Sequence, residues 1–462
     1  MTLIPYPYQS DIIARTRAAL KAADSALIVL PTGGGKTVTV ATMLKRSAER
    51  GLRSVFAVHR NELLEQSVET LRLVGLDPGI IAAGYGERPG QLVQVASIQS
   101  LARSKRLFKT PAPSLFVADE AQHFPGTQWA KVLSFWSTSK LVGLTATPER
   151  LDGRGLGEWF GSMVEGPDVG WLIGNGYLSP YRAFAPSKPQ TAELPLSAGD
   201  YARAPTEAMM NKPSVTGNAV ATYIKHVMGK KAIVFAVGIA HSQEVAAAFR
   251  AAGIEAAHLD GETPRDERRR IVGAFRAGTV RVLCNVDLFG EGFDVPDAEV
   301  GMFLRPTMST GLWRQQVGRV LRYRPGKTAW LFDHGGNFEK HGLPDDPVTW
   351  SLEGRPGRSR KDVEKTLAVR TCPACYAVSP AARKTCEQCG TAFPLTPREI
   401  KILEGELAEI DRLRARTQRK IEQRGATTLD ALTALGKQRG YKNPKYWAMK
   451  QMELREMKRR KG

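Results

Sequence analysis

Apolar runs of five or so residues recur along the first third of the chain, each followed by a stretch with helical spacing. ALIVL (26–30), SVFAV (54–58), VQVAS (93–97), LFVAD (115–119) and LVGLT (141–145) are the first series. A second series repeats the pattern: AIVFAV (232–237), EAAHL (255–259), VRVLCNV (280–286), VGMFL (300–304) and AWLFD (329–333). Runs that are apolar at successive positions predict strands buried on both faces. Segments between them, such as NELLEQSVETLRL, SQEVAAAFRAAG and RDERRRIVGAFRAG, read as helices. Strand–helix alternation predicts an α/β protein of parallel sheets with helices on both faces.

The two series are separated by a Pro- and Ser-containing stretch around 179–200 with little period. This predicts two tandem domains, 1–178 and 179–345. After Asp333 the pattern stops. Residues 346–370, including SLEGRPGRSRKD, read as a flexible basic linker. A small cysteine module follows at 371–395, then a basic tail at 396–462. In that tail Ile400, Leu403, Leu407, Ile410 and Leu413 recur at helical spacing, a pattern that suits a packing face. At 462 residues the chain is too long for one core.

Composition adds a charge. The formal net charge is +20, and nearly half of the excess lies between Arg398 and Gly462, where 18 Lys and Arg face 9 Asp and Glu. A solvated basic tail and a nucleic-acid contact both fit it. No stretch approaches the roughly 18 apolar residues of a membrane span, and the N-terminus lacks the pattern of a secretory signal. The expectation is a cytoplasmic protein, associated with the nucleoid if it binds DNA.

Four of the five cysteines crowd into CPACYAVSPAARKTCEQC, at Cys372, Cys375, Cys386 and Cys389. The CxxC–x10–CxxC spacing lets two knuckles converge on one structural Zn²⁺. A disulfide pair is the alternative, which a cytosolic setting disfavours. Cys284 sits alone in an apolar run and reads as a core residue.

The first strand runs into PTGGGKT: Pro31, Thr32, Gly33, Gly34, Gly35, Lys36 and Thr37. A glycine loop between strand and helix lets backbone N–H groups wrap a phosphate at the positive helix end. Lys36 would reach the β- and γ-phosphates of ATP, and Thr37 would hold Mg²⁺. A glycine-rich turn is the plainer alternative, and Leu30 stands where the strict pattern wants glycine. LFVAD ends in Asp119 and Glu120, two acids that are costly to bury unpaired. Strand ends on one edge of a parallel sheet share a crevice. Asp119 would therefore face the Mg²⁺, and Glu120 would position or deprotonate the attacking water. LVGLT ends in TATP (145–148) at a neighbouring strand end.

These motifs carry a resemblance. PTGGGKT, DEAQ, TATP and QQVGRVLR (315–322) resemble motifs I, II, III and VI of superfamily 2 nucleic-acid helicases, which implies two tandem RecA-like domains, with the cysteine module following them as a small zinc ribbon and then the basic helical tail. PYQ (7–9) resembles the adenine-reading Q motif, with Gln9 as reader. SIQSL (97–101) resembles a nucleic-acid-contacting motif, and GEGFDVP (290–296) resembles motif V, with Gly292 and Asp294 at its fixed positions. Within the superfamily the run LRPTMSTGLWRQQVGRVLRYRPGK (304–327) and the cysteine module are most similar to the RadD-like bacterial DNA-repair helicases. Gln122 departs from the His usual there. That bears on how hydrolysis couples to strand binding.

QxxGRxxR on a helix would put Arg319 and Arg322 one turn apart on one face, with Gln315 lining the same cleft. Two guanidiniums reaching across a cleft act as arginine fingers, worth roughly a thousandfold or more in rate. The resemblance implies that a single DNA strand crosses both domains, gripped through its phosphates. Arg60, Gln99, Thr145 and backbone amides near Gly84 are the candidate contacts. Tyr441, Tyr446 and Trp447, interleaved with Lys, suit phosphate contact and base stacking, or an amphipathic hairpin on the zinc module. The expected function is an ATP-dependent DNA helicase or translocase, with repair or single-strand-binding proteins as possible partners. An RNA motor, a restriction-system motor subunit and a non-catalytic scaffold are its rivals.

Overall fold

The computed structural model describes residues 3–59, 61–124, 126–149, 154–185, 191–197, 199–288, 298–354 and 369–393, and parts of 426–452. These fall into two units, Met1–Thr391 and Ala392–Gly462. Among the described residues no helix is long and apolar enough to cross a membrane.

The first unit holds two parallel sheets. Strands β1 (Ser25–Val29), β2 (Ser54–Val58), β3 (Gly79–Ile81), β4 (Val93–Ser97), β5 (Leu115–Ala118), β6 (Lys140–Thr145) and β7 (Met163–Glu165) form one. Their order is β3-β4-β2-β5-β6-β1-β7, and every pairing is parallel. β2 and β4 are buried at every position, which is why their sequences do not alternate. The order sets β5, β6 and β1 side by side, so the segments that follow them emerge together on one edge.

The second sheet begins with β8 (Tyr181–Phe184). After a short hairpin of β9 (Leu196–Ser197) and β10 (Asp200–Tyr201) come β11 (Ala232–Phe235), β12 (Ala256–Leu259), β13 (Val282–Asn285), β14 (Val300–Phe303) and β15 (Ala329–Asp333). The order is β12-β13-β11-β14-β15-β8, again all parallel. The ten strands expected from the sequence match observed ones to within two residues. Both sheets have the arrangement of a RecA-like lobe.

Two expectations differ from the structure. The aperiodic stretch near 179–200 contains β8, the edge strand of the second sheet. It has only four residues, with Arg182 exposed, too few to make a run. The segment read as a flexible linker begins as an ordered strap. Trp350 and Leu352 pack against the core of the first sheet, and Gly157 N–H donates to the Leu352 carbonyl at 2.7 Å. Arg154 and Gly354 pair antiparallel.

The cysteine module folds over the antiparallel hairpin β16 (Val369–Thr371) and β17 (Val378–Pro380). It lies against the open edge of β8, where Ala185 N–H donates to the Tyr376 carbonyl at 3.0 Å. In the second unit the Leu429–Gln438 helix is capped by Thr428, whose hydroxyl accepts from Ala431 N–H at 3.2 Å. The leucine–isoleucine stripe at 400–413, Tyr441 and Tyr446 lie outside the described residues. Trp447 is described and lies beside Gly436.

Candidate nucleotide site

The glycine loop links β1 to the Lys36–Ala48 helix. Gly33 and Gly35 are left-handed, with φ of 87° and 79°, a conformation side chains disfavour. Space forbids a side chain as well. A β-carbon on Gly35 would lie 2.2 Å from Gln9 Nε2, and one on Gly33 would lie 2.8 Å from Leu178 Cδ2. The loop rests on Tyr8, whose hydroxyl donates to the Gly34 carbonyl at 2.8 Å. No pattern in the sequence marks Tyr8 for this role. Burial pushes its phenol up to about 12, so it stays protonated as a donor.

Gln9 is 1% exposed. Its Oε1 accepts from Tyr6 N–H at 2.8 Å, and its Nε2 faces the Gly34 and Gly35 carbonyls at 3.5 and 3.4 Å. Here it braces the glycine loop through its amide.

Lys36 is the first residue of its helix, and its ammonium donates to the Leu30 carbonyl at 3.2 Å. Part of the residue's surface is accessible, yet the charged end is desolvated, which pulls its pKa down. Glu120 and Asp119 oppose that shift, whereas Arg319 and Arg322 reinforce it. The charges of two acids from the first lobe and two guanidiniums from the second are therefore felt at one ammonium. Such a crevice suits a polyanion accompanied by a divalent cation. Thr37 is exposed beside it.

Glu120 is 8% exposed and left-handed, with φ of 49°, a strained setting of the kind found at functional sites. Its Oε2 accepts from Gln122 Nε2 at 2.7 Å. Gln122 Oε1 in turn lies 2.7 Å from Thr145 Oγ1. That hydroxyl accepts from Thr147 N–H at 3.0 Å and lies 2.7 Å from the Thr147 carbonyl. Gln122, the departure from the family's usual histidine, thus carries a hydrogen-bonded chain from the acid motif to TATP. Thr145 is fully buried and occupied by this chain, so its hydroxyl does not reach outward to a strand.

The second lobe reaches this site through the Thr310–Val320 helix. Ser309 caps it, accepting from Leu312 N–H at 3.1 Å. The preceding turn is fixed by Asn337, which accepts from Thr307 N–H at 3.0 Å. Asn337 is anchored by Asp333, fully buried at the end of β15. Asp333 also accepts from Gly335 N–H at 3.0 Å and Phe338 N–H at 2.7 Å. Burial nevertheless pushes its carboxyl up to about 7. Arg319 lies within the helix and is 8% exposed, as Gln315 is 5% exposed.

The helix stops at Val320, with Leu321 as cap, so Arg322 is not on it. Arg322 instead pairs antiparallel with Leu178, and Ser179 Oγ and Lys327 Nζ hold its carbonyl at 3.0 Å. Both arginines still bear on Lys36. Gly318, the residue before Arg319, touches the glycine loop: a β-carbon there would lie 2.5 Å from Thr32 Cβ.

Of the candidate strand contacts, Gln99 is exposed. Its Nε2 donates to the His59 carbonyl at 2.6 Å, and its Oε1 accepts from Ser97 Oγ at 2.8 Å. Gly84 is exposed with φ of 84°. Arg60, Gly292 and Asp294 lie outside the described residues.

The four thiols of Cys372, Cys375, Cys386 and Cys389 all lie within 4.8 Å of one another. The 372–389 and 375–386 sulfur pairs are each 3.6 Å apart, too far for a disulfide. Tetrahedral zinc with bonds of about 2.3 Å requires sulfurs roughly 3.8 Å apart. Tyr376 and Gly390, each following a second knuckle cysteine, are left-handed, with φ of 61° and 73°. The donor set fits zinc.

Family models match both lobes: "Type III restriction enzyme, res subunit" over residues 2–150 and "Helicase conserved C-terminal domain" over 216–324. The chain belongs to the superfamily 2 helicases. By family it is a nucleic-acid-dependent ATPase. It is 35% identical over 387 residues to a 51.5 kDa protein of Lactococcus phage (isolate 7-9), covering 84% of this chain and 82% of that one. It is 28% identical to the helicase IRC3 of Saccharomyces cerevisiae, over 69% of this chain but only 50% of that protein. It is 26% identical to the DNA 3'-5' translocase XPB2 of Sulfurisphaera tokodaii, over 64% of this chain and 74% of that one. Its fold matches that of the ATP-dependent Type ISP restriction-modification enzyme LlaBIII bound to DNA. The TM-score is 0.55 at 17% identity, covering 72% of this chain and 28% of that one.

Proposed function

We propose that this chain is an ATP-dependent DNA translocase or helicase whose turnover opens and closes its two lobes. The observation that carries the reading is the seating of the second lobe on the glycine loop, where a β-carbon on Gly33 would lie 3.4 Å from the Gly318 carbonyl oxygen and 3.7 Å from Arg322 Cγ, beside a Lys36 whose charge Asp119 and Glu120 favour and Arg319 and Arg322 oppose. Bound ATP–Mg²⁺ supplies the phosphoanhydride and the cation that offsets its charge. Loop N–H groups and Lys36 would hold the phosphates, while Thr37 and Asp119 would ligate the cation. Glu120 would orient the attacking water and take its proton. Arg319 and Arg322 would neutralise charge developing on the γ-phosphate, so lobe closure would be needed for chemistry.

DNA as the track is supported by the names of the XPB2 relative and of the LlaBIII complex. The RadD-like repair assignment rests on the run 304–327 and the four-cysteine module. Protein partners and a nucleoid location would follow from it. The test is phosphate release measured with single-stranded DNA, duplex DNA and RNA. Lys36→Ala and Glu120→Gln should abolish DNA-stimulated turnover and leave DNA binding largely intact. Unchanged turnover in either variant would remove the mechanism, and stimulation by RNA alone would overturn DNA as the track.

A further inference from the structure

The lobes also meet at a second point. Glu65, in the Asn61–Leu73 helix of the first lobe, accepts from the Tyr85 hydroxyl at 2.7 Å. It also accepts from the guanidinium of Arg265 in the second lobe. Arg265 opens the Arg265–Ala277 helix, which carries five arginines against two acids. Arg268 turns inward, onto the carbonyls of Asp260, Gly261 and Thr263.

On the first lobe the surroundings of this contact are candidate strand-binding elements. Tyr85 follows the exposed Gly84, and Ala83 N–H donates to Ser100 Oγ at 3.2 Å, tying that loop to SIQSL. Glu65 lies one turn into the helix that begins two residues after His59, whose carbonyl receives Gln99. A carboxylate of one lobe therefore holds an arginine of the other beside the elements that the proposed reading gives to the strand.

Building on the nucleic-acid reading above, we propose that Arg265 is a phosphate ligand for a single strand and that Glu65, steadied by Tyr85, stands in for the phosphate when no strand is bound. A carboxylate and a phosphodiester offer guanidinium the same pair of acceptor oxygens. The pair is exposed, at 65% and 42% of the two side chains, and exposed ion pairs hold weakly, so a strand can displace it. Because Glu65 and Arg265 belong to different lobes, the exchange also releases one interlobe tie. Arg265 is held strongly protonated by Glu65, and Glu65 is held ionised first by Tyr85 and then by Arg265.

The test is binding of the full-length chain to a short oligothymidylate across a salt series. Arg265→Ala should bind more weakly at every salt concentration. Its log–log salt slope should be shallower by about 0.7, one phosphate contact on a single strand. Glu65→Gln should keep the wild-type slope and bind about two- to fivefold tighter. Salt-dependent wild-type binding with an unaltered slope in Arg265→Ala would reduce the contact to a brace between lobes and overturn the proposal alone. Unaltered or weaker binding by Glu65→Gln would do the same. Wild-type binding without salt dependence would overturn the nucleic-acid reading and this proposal with it.

Discussion

Replacing Gly318 by alanine separates helix stability from lobe closure. In an isolated helix the exchange is favourable by about 1 kcal/mol, because glycine loses more backbone freedom on folding. Here the new β-carbon would lie 2.5 Å from Thr32 Cβ, 2.9 Å from Thr32 Cγ2 and 3.0 Å from the Thr32 carbonyl oxygen. Non-bonded carbons rest at about 3.5–4.0 Å, so helix and loop must part by roughly 1 Å. Arg319 is the next residue and moves with the helix. A displacement of that size at a reacting group costs about a hundredfold in rate. Complete withdrawal of an arginine finger costs about a thousandfold or more. DNA-stimulated ATP turnover should therefore fall about a hundredfold in Gly318→Ala, while the thermal midpoint stays level or rises. Adding Thr32→Gly removes the two side-chain clashes and should restore part of the rate, a coupling that a double-mutant cycle measures. Wild-type turnover by Gly318→Ala would refute the claim that chemistry needs this contact.

Three further outcomes follow from the geometry. Gln122→Ala removes the amide joining Glu120 to Thr145. DNA stimulation of turnover should drop about tenfold, the effect of one lost hydrogen bond to a charged group, and an unchanged stimulation ratio would show that the chain carries no coupling. Metal analysis should find one zinc per chain, lost in Cys386→Ser; wild-type protein with no zinc and four free thiols would exclude the site. Burial pulls His241 down to about 4, against the opposing charge of Glu207, and His334 down to about 3, whereas an unfolded histidine titrates near 6.5. The sign is fixed: below about pH 6.5 the unfolded chain takes up protons that the folded chain refuses. Stability should therefore fall as pH drops from about 6.5 to 4, with His241 contributing at most about 3 kcal/mol. The urea midpoint should follow this, with a flatter profile in His241→Gln. A profile unchanged by that substitution would clear His241.

The central strands of both lobes were legible because they are buried on both faces, and burial writes itself as an unbroken apolar run. The glycine loop, the two acids and the arginine pair stood out because the proposed chemistry restricts residue type. What escaped is short or relational. β3 and β7 have three residues each and β8 has four, below the length at which periodicity speaks. Arg322 read as helical because its spacing from Arg319 is one turn, yet the chain leaves the helix at Leu321 to pair with Leu178. Gln9 matched its motif, but its contacts with Gly34 and Gly35 depend on a loop far along the chain. No local pattern records such a distance.

The strap shows why these relational features matter to a two-lobed machine. A β-carbon on Gly155 would lie 1.9 Å from the Leu352 carbonyl oxygen and 2.2 Å from Gly354 N, so the first lobe keeps a glycine to admit backbone from beyond the second. Gly311 likewise faces Thr147 Oγ1, with 2.9 Å for a β-carbon, at the end of the chain of hydrogen bonds that starts on Glu120. After β15 the polypeptide crosses back to the first lobe at 350–354, then meets the second again where Tyr376 holds the β8 edge. A boundary drawn at Asp333, where the strand–helix rhythm ends, would strip Trp350 and Leu352 from one lobe and uncover the sheet edge of the other. The lobes are separate by sequence rhythm, but each is finished by chain that follows both.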